Sequence, residues 1–154
     1  MEKINKLKQI FKTEKIDGYI IPKNDEFFGE NTVVHNDRLK FISNFTGSFG
    51  FSIILRNENY LFVDGRYTLQ ANNQCGKFFK VVTFPNKMPI DILKKKKLIL
   101  GFDPKLFTSR SLKTFFNKTN CEFKPLYKNL IDKIWSRKIK KNKNKFFVLP
   151  KSSV

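Results

Sequence analysis

The stretch Phe51–Tyr67, FSIILRNENYLFVDGRY, decides the fold. It holds two apolar runs, Phe51–Leu55 and Tyr60–Val63, joined by Arg56-Asn57-Glu58-Asn59. Runs of this length, rich in Phe, Ile, Tyr and Val and split by a short polar turn, predict a β-hairpin. Each run is nearly continuous in apolar residues, so both faces of each strand should be covered, as for interior strands of an α/β sheet. The second strand stops at Asp64-Gly65, where Gly65 permits a reversal and Asp64 can accept from backbone N–H groups at the start of a helix over 66–75. Ahead of the hairpin lies Phe45-Thr46-Gly47-Ser48-Phe49-Gly50, whose glycines suit tight backbone. Two tight loops therefore flank one buried hairpin, and a functional edge is expected there.

Working outward, residues 2–16 carry Ile4, Leu7, Ile10 and Phe11 at helical spacing with Lys opposite, an amphipathic helix ended by Asp17-Gly18. Tyr19–Ile21 reads as a first strand closed by Pro22. Lys23–Asn36 is polar and irregular, and a loop that long in a compact domain has a function or moves. Asp37–Ser43 reads as a short helix. Beyond the hairpin come strands over 78–84, 98–102 and 122–127. Between and after them lie helices over 89–96, 111–118 (capped by Thr108-Ser109) and 129–135. Strands alternating with helices, interrupted by one hairpin, give an α/β domain with a mixed, roughly six-stranded sheet and flanking helices.

The 154 residues suit one domain, and 40% hydrophobic content with 18 Phe is ample for a core. No run approaches the ~20 apolar residues of a membrane helix, and MEKINKLKQIFK lacks the apolar core of a signal peptide. These features read as cytoplasmic. Cys75 and Cys121 are widely spaced and read as reduced, buried thiols. The charge is large: Lys+Arg 31 against Asp+Glu 13, net +18. That balance raises a stand-alone, basic nucleic-acid-binding module as an alternative. However, Lys, Asn, Phe and Ile are in excess together, as an AT-rich genome would impose, so solvated surface Lys is the leading account. Ser136–Lys145, SRKIKKNKNK, reads as a linker, and the apolar run Phe146–Leu149 resembles the start of another domain. Residues 1–136 are thus expected to be one domain and 137–154 a basic linker with the start of a further domain, the chain being cut from a longer protein.

Few residues suggest chemistry. His35 is the lone histidine and cannot make a His-rich metal site. There is no G-x-S-x-G elbow and no P-loop, and Ser48 has no visible base partner. Gly47-Ser48-Phe49-Gly50 is either a tight turn or a loop facing a partner or ligand. Asp64 and Asp103 fall at strand ends, where they cap the following turns or, in a nuclease-type reading, share a divalent cation. Arg66 is one of five arginines in a chain that otherwise uses Lys. Its retention beside Asp64, at a helix start where the dipole disfavours a cation, points to a structural Asp–Arg bridge or to a contact with an anion or partner.

The string Asp37–Gly50 (DRLKFISNFTGSFG), followed by Leu61–Ala71 (LFVDGRYTLQA), resembles the N-terminal domain of Xaa-Pro aminopeptidases (aminopeptidase P), a metallopeptidase group with a creatinase/prolidase-type N-terminal domain. Tyr19–Pro22 with Asn24-Asp25-Glu26, Gly101–Pro104 and Asn129–Trp135 look like further landmarks in the expected order, and the resemblance covers roughly residues 4–137. It implies a ribonuclease-H-like mixed sheet. It also implies a parent hydrolase that removes the residue preceding proline from X-Pro peptides. In the family a separate C-terminal catalytic domain does this with two divalent metals, usually manganese, held by two Asp, one His and two Glu. No such ligand set is identifiable here, so this chain is expected to be catalytically silent and to hold no metal. By resemblance its loops help shape the active-site entrance and the homodimer. Phe45, Gly47, Ser48, Phe49, Asp64, Arg66 and Tyr67 are the candidates to face the catalytic domain or substrate; no membrane partner is expected, and nucleic acid stays the alternative to this reading rather than part of it. Phe49 stands where relatives often have a small residue.

Overall fold

The computed structural model describes residues 1–137. The expected linker and apolar run lie outside the described residues, except for Ser136 and Arg137. The elements are α1 (Glu2–Glu14), β1 (Gly18–Pro22), α2 (Arg38–Ser43), β2 (Gly50–Leu55), β3 (Asn59–Asp64), a 3-10 turn (Gly65–Tyr67), α3 (Thr68–Cys75), β4 (Lys80–Phe84), α4 (Pro89–Leu93), β5 (Ile99–Phe102), a 3-10 turn (Pro104–Leu106), α5 (Ser109–Phe116), β6 (Glu122–Pro125) and α6 (Leu130–Ile134).

The six strands form one mixed sheet in the order β4-β3-β2-β1-β5-β6. The hairpin β2–β3 sits inside it, as its two-sided apolar runs require, with Phe51 opposite Phe62 and Ile53 opposite Tyr60. β1 pairs antiparallel with β2 and parallel with β5. β3–β4 and β5–β6 are parallel. Strand alternation sends side chains to two cores. Tyr19, Ile21, Ile54, Leu61 and Val63 pack on one face with Leu7 and Phe11 of α1, Leu39 of α2 and Ala71 of α3. Ile20, Phe51, Ile53 and Phe62 pack on the other with Leu93 of α4 and Phe116 of α5. Phe51 stacks on Phe62 at 4.7 Å and on Phe115 at 4.8 Å. The sheet is therefore a middle layer with helices on both sides. β4 and β6 are its open edges, and β6 ends in Pro125.

Local chemistry explains where the elements begin and end. Asp37 caps α2 by accepting from Lys40 N, Thr108 caps α5 by accepting from Ser111 N, and Asn129 caps α6 by accepting from Ile131 N. The α1 helix stops earlier than expected, at Glu14. Lys15 takes the left-handed conformation (φ 53°), and its N–H and that of Ile16 return to Lys12 O and Phe11 O. Asp17 serves the sheet instead, its carboxylate accepting from Ile99 N at 3.0 Å. The helix expected over 66–75 starts as a 3-10 turn and becomes α-helical at Thr68. Phe78 and Phe79 precede β4 in a turn, their amides bonded to Cys75 O. The helix expected over 89–96 ends at Leu93.

Candidate functional site

β1, β3, β4, β5 and β6 all point the same way, so Pro22, Asp64, Phe84, Phe102 and Pro125 end along one rim. β2 runs oppositely and begins there at Gly50. In open α/β sheets the carboxyl ends of the strands are where ligands and partners are met. The loop 23–36, the turn 44–49 and the turn 65–67 all gather at this rim.

The turn before β2 is built around Phe45. Its ring is fully buried and meets Tyr67 edge-on, with centroids 6.0 Å apart. The Ser43 hydroxyl donates to Leu39 O and accepts from Phe45 N, fixing the chain as it leaves α2. Gly47 lies directly over the ring, and a Cβ there would meet Phe45 Cζ at 2.2 Å. Thr46 is held from α3: its hydroxyl accepts from Gln70 (2.8 Å) and Gln74 (2.9 Å), and its N–H donates to Gln74 Oε1. The exposed Ser48 hydroxyl shares a 2.7 Å hydrogen bond with Tyr67 Oη. Phe49 is half-buried against Phe84, at 5.8 Å. Of the candidates in this turn, Phe45 and Gly47 lie inside it as support. Ser48 and Phe49 form its outer side.

Asp64 caps the next turn. Its Oδ1 accepts from Arg66 N at 3.0 Å and from Arg66 Nε at 2.9 Å. The Asp–Arg bridge is therefore present, and the Arg66 hydrogen bond holds the Asp64 carboxyl below its usual range. The Arg66 side chain remains 75% exposed, with its guanidinium 5.6 Å from the Tyr67 ring centroid. A solvent-screened bridge of this kind contributes little to stability, but it orients the guanidinium. Asp64, Arg66, Tyr67 and Ser48 are thus one connected polar ledge, while Thr46 is held separately by Gln70 and Gln74.

Asp103 is not part of it. It is buried, accepts from Lys105 N (3.0 Å) and from Asn129 Nδ2 (2.8 Å), and anchors α6 to the end of β5. Two strands separate β3 from β5 in the sheet, which puts Asp64 and Asp103 on the order of 14 Å apart. They cannot share a cation, and the nuclease-type reading fails on that distance. Among the described residues no three of His, Cys, Asp and Glu gather where a metal could sit. His35 is exposed, and its carbonyl accepts from Arg137 Nη1.

The rim also holds a group that single-sequence reading misses. Arg38 is 3% exposed and grips two carboxylates, Glu26 at 2.7 Å and Asp132 at 2.9 Å. These partners lie 12 and 94 positions away. Burial opposes the charge, but the Asp132 and Glu26 hydrogen bonds win and raise the Arg38 pKa. Beside it Lys23 pairs with Asp37 at 2.6 Å, and Asp25 accepts from Phe27 N and Asn36 Nδ2. Asn24 Nδ2 donates to Leu106 O, tying the loop to the turn after β5. A lone arginine at a helix start gives no sequence signal for such a long-range clamp.

Residues 3–134 match the family described as the creatinase/prolidase N-terminal domain. A protein named probable Xaa-Pro aminopeptidase P, from Coprinopsis cinerea, is 32% identical over 139 residues, covering 84% of this chain and 22% of that protein. The chain thus spans less than a quarter of that relative's length. The crystal structure of an X-prolyl aminopeptidase from Caenorhabditis elegans, described as a cytosolic enzyme with a di-nuclear active site, overlays with a TM-score of 0.78 at 27% identity. The overlay covers 87% of this chain and 25% of that one. The N-terminal domain of the cytoplasmic peptidase PepQ from Mycobacterium tuberculosis shares the fold, with a TM-score of 0.67 at 19% identity over 87% of this chain and 98% of that chain.

Proposed function

The chain belongs to the creatinase/prolidase N-terminal domain family, and from that premise we propose that it is the non-catalytic N-terminal domain of a cytoplasmic Xaa-Pro aminopeptidase. In this reading residues 1–136 are the domain, and 137–154 are a basic linker with the first residues of the next one. The parent enzyme releases the N-terminal residue that precedes proline in X-Pro peptides. It does so in a C-terminal catalytic domain with two divalent cations, manganese by the family resemblance, and it works as a homodimer. The observation that carries the reading is the overlay on an X-prolyl aminopeptidase across 87% of this chain.

The described residues do not fit a metal pair. Asp64 and Asp103 are committed to their own turns, and no third ligand joins either. No step of the hydrolysis therefore runs through them. The domain's part is access and orientation. Phe45 and Gly47 fix the turn from within, Asp64 aims Arg66, and Ser48, Phe49, Arg66 and Tyr67 face outward at the entrance. A planar, permanently charged guanidinium suits a carboxylate, either of a peptide or of the catalytic domain. Holding a short peptide in one orientation lowers the entropic part of a barrier that metals lower electrostatically.

The test is to express the polypeptide encoded by the whole reading frame and assay X-Pro peptides with and without a chelator, beside the 154-residue chain. Metal-dependent release by the former and none by the latter is expected. Cleavage by the 154-residue chain alone, or none by the whole polypeptide, overturns the proposal.

A further inference from the structure

We propose that the loop 23–36 is a pre-built apolar docking surface for the polypeptide downstream of Arg137, folded as the domain to which this one is joined in its longer relatives. The inference rests on the proposed function, in which the chain is part of a longer peptidase.

Strongly exposed large apolar side chains among the described residues, Met1 aside, are Phe27 (81%), Phe28 (49%), Val33 (49%), Val34 (73%), Leu69 (76%) and Tyr127 (73%). Four belong to this one loop. Leu69 and Tyr127 come just after the carboxyl ends of β3 and β6, so all six lie along the same rim. A Lys-rich surface elsewhere makes this concentration an exception, and contiguous exposed apolar groups mark contact sites.

The loop is held in place rather than loose. Three of its four charged side chains are paired: Lys23 with Asp37, Asp25 with Asn36 and with the amide of Phe27, and Glu26 with the buried Arg38, while Glu30 stays exposed. Thr32 Oγ1 closes the loop on itself by donating to Lys23 O at 2.9 Å. Paired charges beside exposed Phe and Val is not the pattern of a loop shaped only for water. Ordering the loop beforehand lowers the entropy lost when a partner covers it.

The place where the chain leaves identifies the occupant. Arg137 donates to His35 O and pairs with Asp132 at 2.5 Å, so the described residues end beside Val34 and His35. There Trp135 stacks on Phe41 at 4.6 Å, and Val34, Phe41, Asn44 and Trp135 line a cleft of about 260 Å³. The described residues thus end against the apolar loop, and the chain accounts for only 22% of the Coprinopsis cinerea relative and 25% of the Caenorhabditis elegans one. A tethered partner that starts this close meets the surface at high effective concentration.

The experiment is hydrogen exchange of peptides within 23–36, in the polypeptide encoded by the whole reading frame and in the 154-residue chain. Peptides from β2 report that each sample is folded, and X-Pro activity is measured on the whole polypeptide. The loop is expected to exchange about tenfold more slowly in the whole polypeptide, and Phe27→Ser with Val34→Ser should abolish that difference while β2 stays protected. Equal exchange in an active whole polypeptide overturns the docking surface and leaves the peptidase reading standing. A slowed loop in a polypeptide without X-Pro activity supports the docking surface and overturns the peptidase reading. Slowing that grows with the concentration of the 154-residue chain assigns the loop to a second copy and overturns the inference. A reading frame that adds no further domain overturns it too.

Discussion

The two ends of the sheet are built on opposite plans. At the end where most strands begin, polar side chains bind each other across neighbouring elements. Glu58 in the hairpin turn takes Lys80 at 2.8 Å and Lys96 at 3.0 Å. Asn59 donates to Phe78 O, and Arg56 donates to Ile16 O. At the carboxyl rim the turns are longer, and Phe, Val, Leu and Tyr are left in water beside an exposed Arg66. The first end closes the molecule, whereas the second is shaped to be closed by something else. One sheet can serve both purposes because a loop's sequence is only weakly coupled to the strands that carry it.

Four measurements break or sharpen this contrast. Phe45→Ala empties the space beneath Gly47 and removes a fully buried ring, so chemical denaturation should show a loss of about 3–5 kcal/mol. A loss under about 1 kcal/mol would mean that the rim turn is not anchored through its aromatic. Arg38→Met leaves Glu26 and Asp132 facing each other across an apolar gap, and about 3 kcal/mol should be lost. The conservative Arg38→Lys should not rescue it, because one ammonium cannot grip two carboxylates in the same plane.

At the opposite end, Lys80 and Lys96 hold the Glu58 carboxyl at about 2, well below its ordinary 4.5. The folded value is depressed, so the contribution is present above the unfolded pKa and fades as pH falls from 4.5 toward 2. Glu58→Gln should therefore lower the melting temperature at about pH 7, by an amount equivalent to about 1 kcal/mol at most, and the gap to the parent chain should close in acid. A gap that persists near the folded value would mean that the carboxylate's charge is not what joins the turn to β4 and to the segment ahead of β5. Arg66→Ala should leave the melting temperature unchanged, since its bridge lies in solvent. In the whole polypeptide it should reduce turnover of X-Pro peptides. Unchanged turnover with unchanged melting would remove Arg66 from the entrance.

Much of the strand and helix pattern was legible from local chemistry. The hairpin announces itself because both of its strands are sandwiched and must be apolar on both faces. Asp37, Thr108 and Asn129 announce helix starts because their side chains satisfy amides only two or three residues on. The rest is harder to read. An aromatic in a glycine turn looks the same whether it points in or out, and only the ring lying under Gly47 shows that Phe45 is internal. Arg38 stands at the start of α2, yet its role depends on Asp132, brought near by the whole fold. Lys15 ends α1 in a conformation usually left to glycine, so the helix closes before the boundary expected at Asp17-Gly18. Phe78 and Phe79 read as strand because they are apolar, but their amides are bonded back to Cys75 and cannot join the ladder.

Pro125 in β6 has a bearing on how this protein behaves when concentrated. With β5 already taking the amides of Glu122 and Leu126, the proline removes one of the few donors that β6 could offer to a strand from another molecule. β4, with Val81, Val82 and Thr83 and no proline inside it, has no such guard. Fibrous assembly or strand exchange between molecules should therefore advance from the β4 side, where the exposed Lys80 is the strand's one charged residue.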